Sequence, residues 1–209
     1  MMHTFFIVIL LATSVVAVAV IVERALALKW TRIIPETVAQ MVTSYRTAGD
    51  LPSLISLCEQ NPSPISRLLL FAAEHADWPK NENVEIIETR ARHEISRLER
   101  GLVVLEIIVG IAPLLGLVGT IYGLITLFGS MDMAGNVKSG EFSQGISTAL
   151  YATLLGLLVA IPALVAWSYF SKKVENLSVE MATLCDEFMR KHYRSVETAK
   201  PSKAAAKVK

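Results

Sequence analysis

The side chains of this 209-residue chain that could support proton-relay chemistry are hydroxyls within long apolar stretches. Thr120 lies in one such stretch, and Thr148 and Thr153 lie in the next. A threonine hydroxyl has no proton to exchange near neutral pH, but it donates and accepts hydrogen bonds and can therefore join a chain of water molecules. The alternative interpretation is structural, with each hydroxyl bonded to the carbonyl oxygen four residues earlier in its own helix.

Glu106 is the titratable carboxylate nearest to Thr120 along its stretch. It precedes Thr120 by about 14 residues, or about 21 Å of helix, and lies near one end of the stretch. Because burying a charge in a membrane is costly, Glu106 is either part of a proton exit or pore lining, or an interfacial group that reaches water. Neither apolar stretch holds a carboxylate at greater depth. If protons cross the membrane here, the acid that shuttles them must come from a partner protein.

The residues around the threonines predict close helix packing and local kinks. The glycines that would let a second helix approach the backbone are Gly116, Gly119, Gly123 and Gly156. In the second stretch, small residues recur at spacings of three and four and comprise Ala149, Thr153, Gly156, Ala160 and Ala163. Pro113 and Pro162 lie within the same two stretches. Pro113 has no N–H to donate to the carbonyl of Val109, which favours a kink.

Three stretches without Asp, Glu, Lys or Arg have the length of a transmembrane helix. They are Met1–Val22, Ile107–Met131 and Phe142–Ser171, and about 20 apolar residues cross a hydrocarbon core of about 30 Å. The mean hydropathy of +0.47 agrees with this interpretation. The first stretch could instead be the core of a cleaved signal peptide, but its positive charges follow it rather than precede it. We therefore predict an all-α integral membrane protein with three transmembrane helices.

The distribution of positive charge predicts the orientation of the chain. Ten Lys and Arg residues lie in 23–102, one lies in 129–145 and nine lie in 171–209. The positive-inside rule places the two Lys- and Arg-rich regions in the cytoplasm. The N-terminus and the short loop then face the periplasmic side.

The cytoplasmic sequence predicts a small helical insert and two long helical extensions. Prolines separate short helices predicted at 36–47, 51–59 and 64–75. Apolar residues at helical spacing form two stripes, one comprising Val84, Ile87, Ala91, Ile95, Leu98 and Leu102, the other Val174, Leu177, Met181, Leu184 and Phe188. The predicted segments are a first transmembrane helix at 1–22, a cytoplasmic insert at 23–83, a long helix with the second span at 84–128, a periplasmic loop at 129–145, a third helix with a cytoplasmic extension at 146–190 and a flexible tail at 191–209.

The two threonine-bearing stretches carry long motifs in a specific order. The first reads APLLGLVGTIYG at 112–123, and the second reads GISTALYATLLGLLVAIP at 145–162. Together they resemble the ExbB/TolQ/MotA proton-channel family, in detail over about residues 102–173. The three spans and the cytoplasmic insert are similar to the ExbB and TolQ branch, because a stator subunit of the MotA type would be expected to have four spans.

The resemblance implies a ring-forming homo-oligomer in the bacterial inner membrane, a pentamer in this branch, whose second and third helices line a pore. The pore would hold the single spans of an ExbD- or TolR-type dimer with an intramembrane Asp, and proton flow would drive a TonB- or TolA-type protein. Thr120 and Thr153 fall on the family's two pore threonines. Thr148 occupies a position where some members carry Glu, so an ionisable step at that level is absent from this chain.

The favoured function is an ExbB-like subunit that energises TonB-dependent outer-membrane import. The alternative is a TolQ-like subunit that acts with a TolR-type partner in outer-membrane integrity and division; a passive membrane scaffold is less favoured. A transporter acting alone usually has more spans and an internal repeat.

No nucleophile with a base, phosphate-binding loop or metal cluster indicates an enzyme, a cofactor or a metal site. No basic patch with aromatic residues indicates nucleic-acid binding, and we predict Cys58 and Cys185 to be small buried residues.

Overall fold

A computed structural model describes residues 2–129 and 139–199 of the chain. In order along the chain, the helices are α1 (Met2–Ala27), α2 (Trp30–Ile33), α3 (Glu36–Ser44), a 3-10 helix (Ala48–Asp50), α4 (Leu51–Gln60), α5 (Pro64–Glu74), α6 (Lys80–Gly129) and α7 (Ser139–Ala199). The part of the chain that the structure describes is all-helical. Three of the helices, α1, α6 and α7, are long and apolar enough to cross a membrane, with mean hydropathies of 2.8, 2.5 and 2.3 over their most apolar windows.

Helix α7 differs from the prediction at both ends. Residues 139–145, predicted as loop, and residues 191–199, predicted as flexible tail, are helical. The lysine-rich composition of the tail suggested disorder, but Lys191 donates hydrogen bonds to the carbonyls of Val42 and Thr43 at 3.1 and 2.5 Å, and these contacts hold the helix in place. The remainder of the predicted loop and tail, 130–138 and 200–209, lies outside the described residues.

Helix α3 ends earlier than the sequence suggested, at Ser44 rather than near residue 47. Thr47 has an extended backbone (φ −132°, ψ 155°), and it forms a capping box with Asp50 that starts the 3-10 helix. Asp50 Oδ2 accepts the backbone N–H groups of Arg46 and Thr47 at 3.0 and 2.9 Å. The residues predicted as the last turn of α3 therefore lead into the capped start of the 3-10 helix instead.

The chain divides into two compact units. The first, here called the span unit, comprises Met1–Leu26 and Arg100–Lys172, and the second, the insert unit, comprises Ala27–Glu99 and Lys173–Lys209. Helices α6 and α7 each contribute one part to each unit.

Within the span unit, α6 and α7 are antiparallel neighbours. Gly156 of α7 lies next to Ala112 of α6, and Gly145 of α7, eleven residues earlier in the chain, lies next to Leu127 of α6. The two helices therefore run in opposite directions. Helix α1 joins them through a cluster of buried apolar residues comprising Ala17, Ile108, Ala112, Ala160 and Ala163. Many large apolar side chains elsewhere on the three helices are exposed. This surface has the character expected of helices whose solvent is lipid.

The insert unit has a conventional apolar core. The largest buried side chains in its helices include Tyr45, Leu54, Leu68, Leu69 and Phe188. All five members of the second predicted stripe are buried, which confirms that interpretation of its spacing. In the first stripe, Ile87 is buried in this unit, Leu102 is buried in the span unit, and the other four members are partly buried. Both cysteines are buried, as predicted.

Three polar side chains buried in the insert unit form hydrogen bonds with other segments. The Glu94 carboxylate is 1% exposed and accepts two hydrogen bonds from the Arg67 guanidinium, Nε to Oε1 at 3.1 Å and Nη2 to Oε2 at 2.5 Å. The buried Tyr45 hydroxyl lies 2.8 Å from His192 Nδ1. The buried Asn83 amide donates to the carbonyl of His75 at 2.8 Å. The Arg67–Glu94 and Tyr45–His192 contacts connect segments far apart in the sequence.

Candidate functional site

The close approach of α6 and α7 is made at two glycines. A Cβ atom at Gly156 would lie 2.6 Å from the Ala112 carbonyl oxygen and 3.2 Å from Gly116 Cα. A Cβ atom at Gly116 would lie 2.8 Å from the Ala152 carbonyl oxygen and 3.0 Å from Thr153 Cα. All of these neighbours are backbone atoms, which cannot rotate away. The two helices therefore touch backbone to backbone, as small residues allow in membrane helix pairs.

The contact continues past the two threonines. A Cβ atom at Gly119 would lie 2.8 Å from Ala152 Cβ, and one at Gly123 would lie 2.9 Å from Ala149 Cβ. The glycines thus recur along the face of α6 that α7 covers. This packing brings the threonine on each helix within reach of the other helix.

The Thr120 and Thr153 hydroxyls are in direct hydrogen-bonding contact, and either one can be the donor. Thr120 Oγ1 also lies 3.0 Å from the Ala149 carbonyl oxygen on α7 and 3.1 Å from the Gly116 carbonyl oxygen on its own helix. Thr153 Oγ1 lies 3.3 Å from the same Gly116 carbonyl. The hydroxyls and the two carbonyls form one polar cluster that links α6 and α7.

The cluster contains more acceptors than protons. The two hydroxyls supply two protons, whereas each of the four oxygen atoms can accept a hydrogen bond. If Thr120 donates to Thr153, the proton of Thr153 is available for the Gly116 carbonyl. If Thr153 donates to Thr120, the proton of Thr120 is available for the Ala149 carbonyl. The pair therefore has two hydrogen-bonding arrangements that differ in which hydroxyl donates to the other. In both arrangements, a hydroxyl oxygen can still accept a hydrogen bond from a third group.

Both threonines are only partly buried within the single chain. Large apolar side chains exposed around them on the two helices include Leu117, Ile121, Leu150 and Leu154. The hydroxyl pair is thus accessible at the margin of an apolar surface, where a hydrogen bond is stronger than it is in water.

The other predicted site residues lie apart from this cluster. Glu106 is exposed on α6 and lies about 21 Å along the helix from Thr120. Pro113 is partly buried and Pro162 is exposed, and both lie inside helices that continue past them. Thr148 lies on the α7 backbone, and its side chain is outside the described residues.

Sequence reasoning missed two features of the span unit. The backbone carbonyl of Ala149 belongs to the polar cluster, but a carbonyl leaves no signature in the residue types. The side chain of Arg24 on α1 lies against Gly101 on α6. In the sequence, Arg24 is a positive charge after the first span, and Gly101 interrupts the apolar stripe. Neither pattern predicts that the two residues lie against each other.

Comparison with known proteins adds relatives to this geometry. The model of the MotA/TolQ/ExbB proton channel family matches residues 61–183. The chain is 30% identical over 159 residues to the Tol-Pal system protein TolQ of Pseudomonas aeruginosa, covering 74% of this chain and 69% of that protein. It is 32% identical over 169 residues to the putative biopolymer transport protein ExbB-like 3 of Synechocystis, covering 77% and 78%. A putative ExbB homolog of Methanothermobacter thermautotrophicus is 29% identical over 142 residues, covering 68% of this chain and 50% of that protein.

Proposed function

The chain belongs to the MotA/TolQ/ExbB proton channel family, and from that premise we propose that it is an ExbB-like subunit of a motor driven by the proton motive force. It acts with an ExbD-type partner and energises TonB-dependent import across the outer membrane. The observation that carries the proposal is the Thr120–Thr153 hydroxyl pair, because it places a polar relay at the contact of the two helices.

The threonine pair serves as a hydrogen-bonding station rather than as a proton donor. Its hydroxyls do not titrate near neutral pH, so the titrating group is an intramembrane Asp of the partner. The pair has acceptor capacity left over in either donor arrangement, so it can accept a hydrogen bond from a protonated Asp, and it can donate to the ionised Asp when one hydroxyl releases its backbone carbonyl. Reversal of the donor direction lets the same two side chains serve both states of that acid.

The proposal includes the surroundings of this station. The protein is a pentamer in the bacterial inner membrane, with α6 and α7 lining a pore and α1 facing lipid. The N-terminus and the connection between α6 and α7 are periplasmic, and the insert and the C-terminus are cytoplasmic, as the positive-inside rule predicts from the charge distribution. Glu106 and Thr148 are assigned to the pore lining on either side of the pair. Reaction of single introduced cysteines with a membrane-impermeant maleimide tests this orientation.

The decisive experiment replaces each hydroxyl and keeps the shape of the side chain. Thr120→Val and Thr153→Val are expected to abolish proton-driven import in cells, whereas Thr120→Ser retains it because the hydroxyl remains. Thr126→Val is the matched control, since Thr126 on the same helix bonds the Tyr122 and Gly123 carbonyls of its own helix at 3.1 and 2.9 Å. Normal import in both Val variants at equal membrane abundance would refute the role of the pair.

A TolQ-like subunit is the second candidate, and the identity to the Pseudomonas TolQ favours it. In that case the partner is of the TolR type and the output is outer-membrane integrity and division. The two functions separate by complementation, because the chain would restore detergent resistance to cells without TolQ and leave import in cells without ExbB unchanged. Co-purification of a single-span, Asp-bearing protein supports either branch over a transporter acting alone. Loss of function with an uncoupler excludes a passive scaffold.

A further inference from the structure

The glycines of α6 differ in which neighbouring atoms a Cβ atom at each position would meet. Those at 116, 119 and 123 face α7. At Gly101, a Cβ atom would instead meet the side chain of Arg24 on α1, with Cζ at 2.5 Å and Cδ at 2.7 Å. At Gly110 the space within 4 Å is open. Gly101 therefore marks a place where the absence of a side chain on α6 makes room for α1.

Arg24 lies across α6 instead of extending into water. Its side chain is 13% exposed, and its Nη2 contacts Oε1 of Glu23 at 2.5 Å, while Glu23 itself is 59% exposed. The guanidinium stem and plane thus cover the helix surface, and the neighbouring carboxylate compensates the charge at the exposed edge. A long cation held in this way has a defined position along both helices.

Two further contacts show that α1 and α6 are antiparallel along the span. Ala17 packs with Ile108, about two turns from Arg24 on one helix and about two turns from Gly101 on the other. Near the far end, the rings of Phe6 and Tyr122 are 6.1 Å apart. These contacts are apolar, and lipid tails can replace apolar contacts between helices at little cost.

We propose that Arg24 and Gly101 form a clamp that fixes the register of α1 against α6. Arg24 is then a positioning residue for the helix that carries Thr120. The glycine leaves room for the Arg24 side chain, and a methyl group at position 101 would force that side chain to move. The inference depends on contacts within the chain and not on the proposed function, so it stands or falls separately from the threonine experiment.

The test measures register at the opposite end of the span from the clamp. The full chain carries Phe6→Cys and Tyr122→Cys, and the rate of disulfide formation in membranes under mild oxidation reports the register. Cys58 and Cys185 do not compete, because burial raises their thiol pKa values to about 11 and about 12 and keeps them protonated. Rates are normalised to the chain present in the membrane fraction.

Gly101→Ala and Arg24→Ala are each expected to slow cross-linking about fivefold, which corresponds to about 1 kcal/mol. Gly110→Ala is the matched control and leaves the rate unchanged. The double variant Arg24→Ala with Gly101→Ala is no slower than Arg24→Ala alone, because the added methyl group then has nothing to displace. Arg24→Lys replaces Arg24→Ala if the loss of positive charge disturbs insertion.

Three results would overturn the clamp. One is a Gly101→Ala variant that cross-links as fast as Gly110→Ala. Another is an unchanged rate when Arg24 is replaced. The third is a double variant in which the two losses multiply, because independent effects would mean that the two residues do not act on each other.

Discussion

The span unit and the insert unit are built from opposite kinds of contact. In the span unit, helices meet where side chains are smallest, and the Gly116 and Gly156 backbones touch. In the insert unit, large side chains such as Phe188 fill the core, and the rings of Tyr45 and Phe188 meet edge to face at 5.3 Å. Polar contacts differ as well, since the buried Glu94 carboxylate of the insert unit is paired with Arg67, whereas α6 and α7 in the span unit are joined through two neutral hydroxyls.

The difference reflects the solvent that each unit requires. In water, burying a large apolar side chain contributes roughly 1.5–3 kcal/mol, so a core grows from large residues. In lipid that gain is absent, and close backbone packing with hydrogen bonds between helices takes its place. One helix, α6, serves both solvents and changes its packing chemistry along its length. Three predictions test this contrast.

The largest expected effect concerns the Arg67–Glu94 pair in the insert unit. Glu94→Ala leaves a partly buried guanidinium unpaired and is expected to lower the free energy of unfolding by about 3 kcal/mol. This is the lower end of the usual range for a broken buried pair, because Arg67 is 41% exposed. Chemical denaturation measures the change when it is followed by tryptophan fluorescence in a Trp30→Phe, Trp167→Phe background that leaves Trp78 in this unit as the reporter.

The matched control for that prediction is Glu88→Ala. Glu88 and Arg92 form an ion pair at 3.6 Å, but both side chains are mostly exposed, so the cost is about 0.5 kcal/mol or less. Equal losses at Glu94 and Glu88 would show that burial does not determine the strength of these pairs. Burial alone would raise the pKa of Glu94, but the hydrogen bonds and charge of Arg67, with Arg97 and Arg90, outweigh it and lower the pKa. The contribution of this carboxylate is therefore present at neutral pH and is lost only as pH falls below its usual value near 4.5.

The second prediction concerns the helix contact in the span unit. Gly156→Ala forces its methyl group against the Ala112 carbonyl and Gly116 Cα, and the helices must separate. The expected cost is about 2 kcal/mol, within the range for overpacked sites, and the midpoint of thermal unfolding in detergent measures it. Gly110→Ala, which adds the same methyl group in open space, should be neutral or slightly stabilising. A Gly156→Ala variant as stable as Gly110→Ala would contradict backbone contact as the basis of this unit.

The smallest effect is the pH dependence of the insert unit. Burial lowers the pKa of His192 from 6.5, although the charge of Asp77 opposes the shift. The unfolded chain therefore binds this proton more readily, and stability falls as pH drops below about 6.5, by at most about 1.4 kcal/mol per pH unit. We therefore expect the chain to be less stable at pH 5.5 than at pH 7.5.

His192→Gln should remove most of this dependence, whereas His93→Gln, at an exposed position on α6, should keep it. Denaturation midpoints over the same pH range distinguish the two. Tyr45 stays protonated throughout, because burial, with the charge of Asp50, raises its pKa to about 12. A flat pH profile in the unmodified chain would show that His192 does not couple to the folding of this unit.

The sequence predicted the features of the molecule that depend on residue type along one helix. The three apolar helices followed from the absence of charge, and the buried stripe from Val174 to Phe188 followed from its spacing. These features can be predicted because the spacing of apolar residues on a single helix determines which face of that helix is apolar.

The contacts between helices were less accessible to sequence reasoning. The glycine spacing indicated that α6 would be approached closely, but the register that brings Thr120 to Thr153 depends on how two helices align. The same holds in the insert unit, where Tyr45 meets His192 from a distant part of the chain. Single-helix patterns contain no information about such alignment, and the Arg24–Gly101 contact joins two residues whose individual patterns are ordinary.

The uniform antiparallel register of α1 and α7 against α6 has a consequence for changes in chain length. An extra residue in α6 between Gly101 and Gly116 would turn everything after it by about 100° and shift it by about 1.5 Å. The contacts with α1 at one level and with α7 at the next could then no longer be met together. A single-residue insertion in this interval would therefore break one of the two sets of contacts that α6 makes.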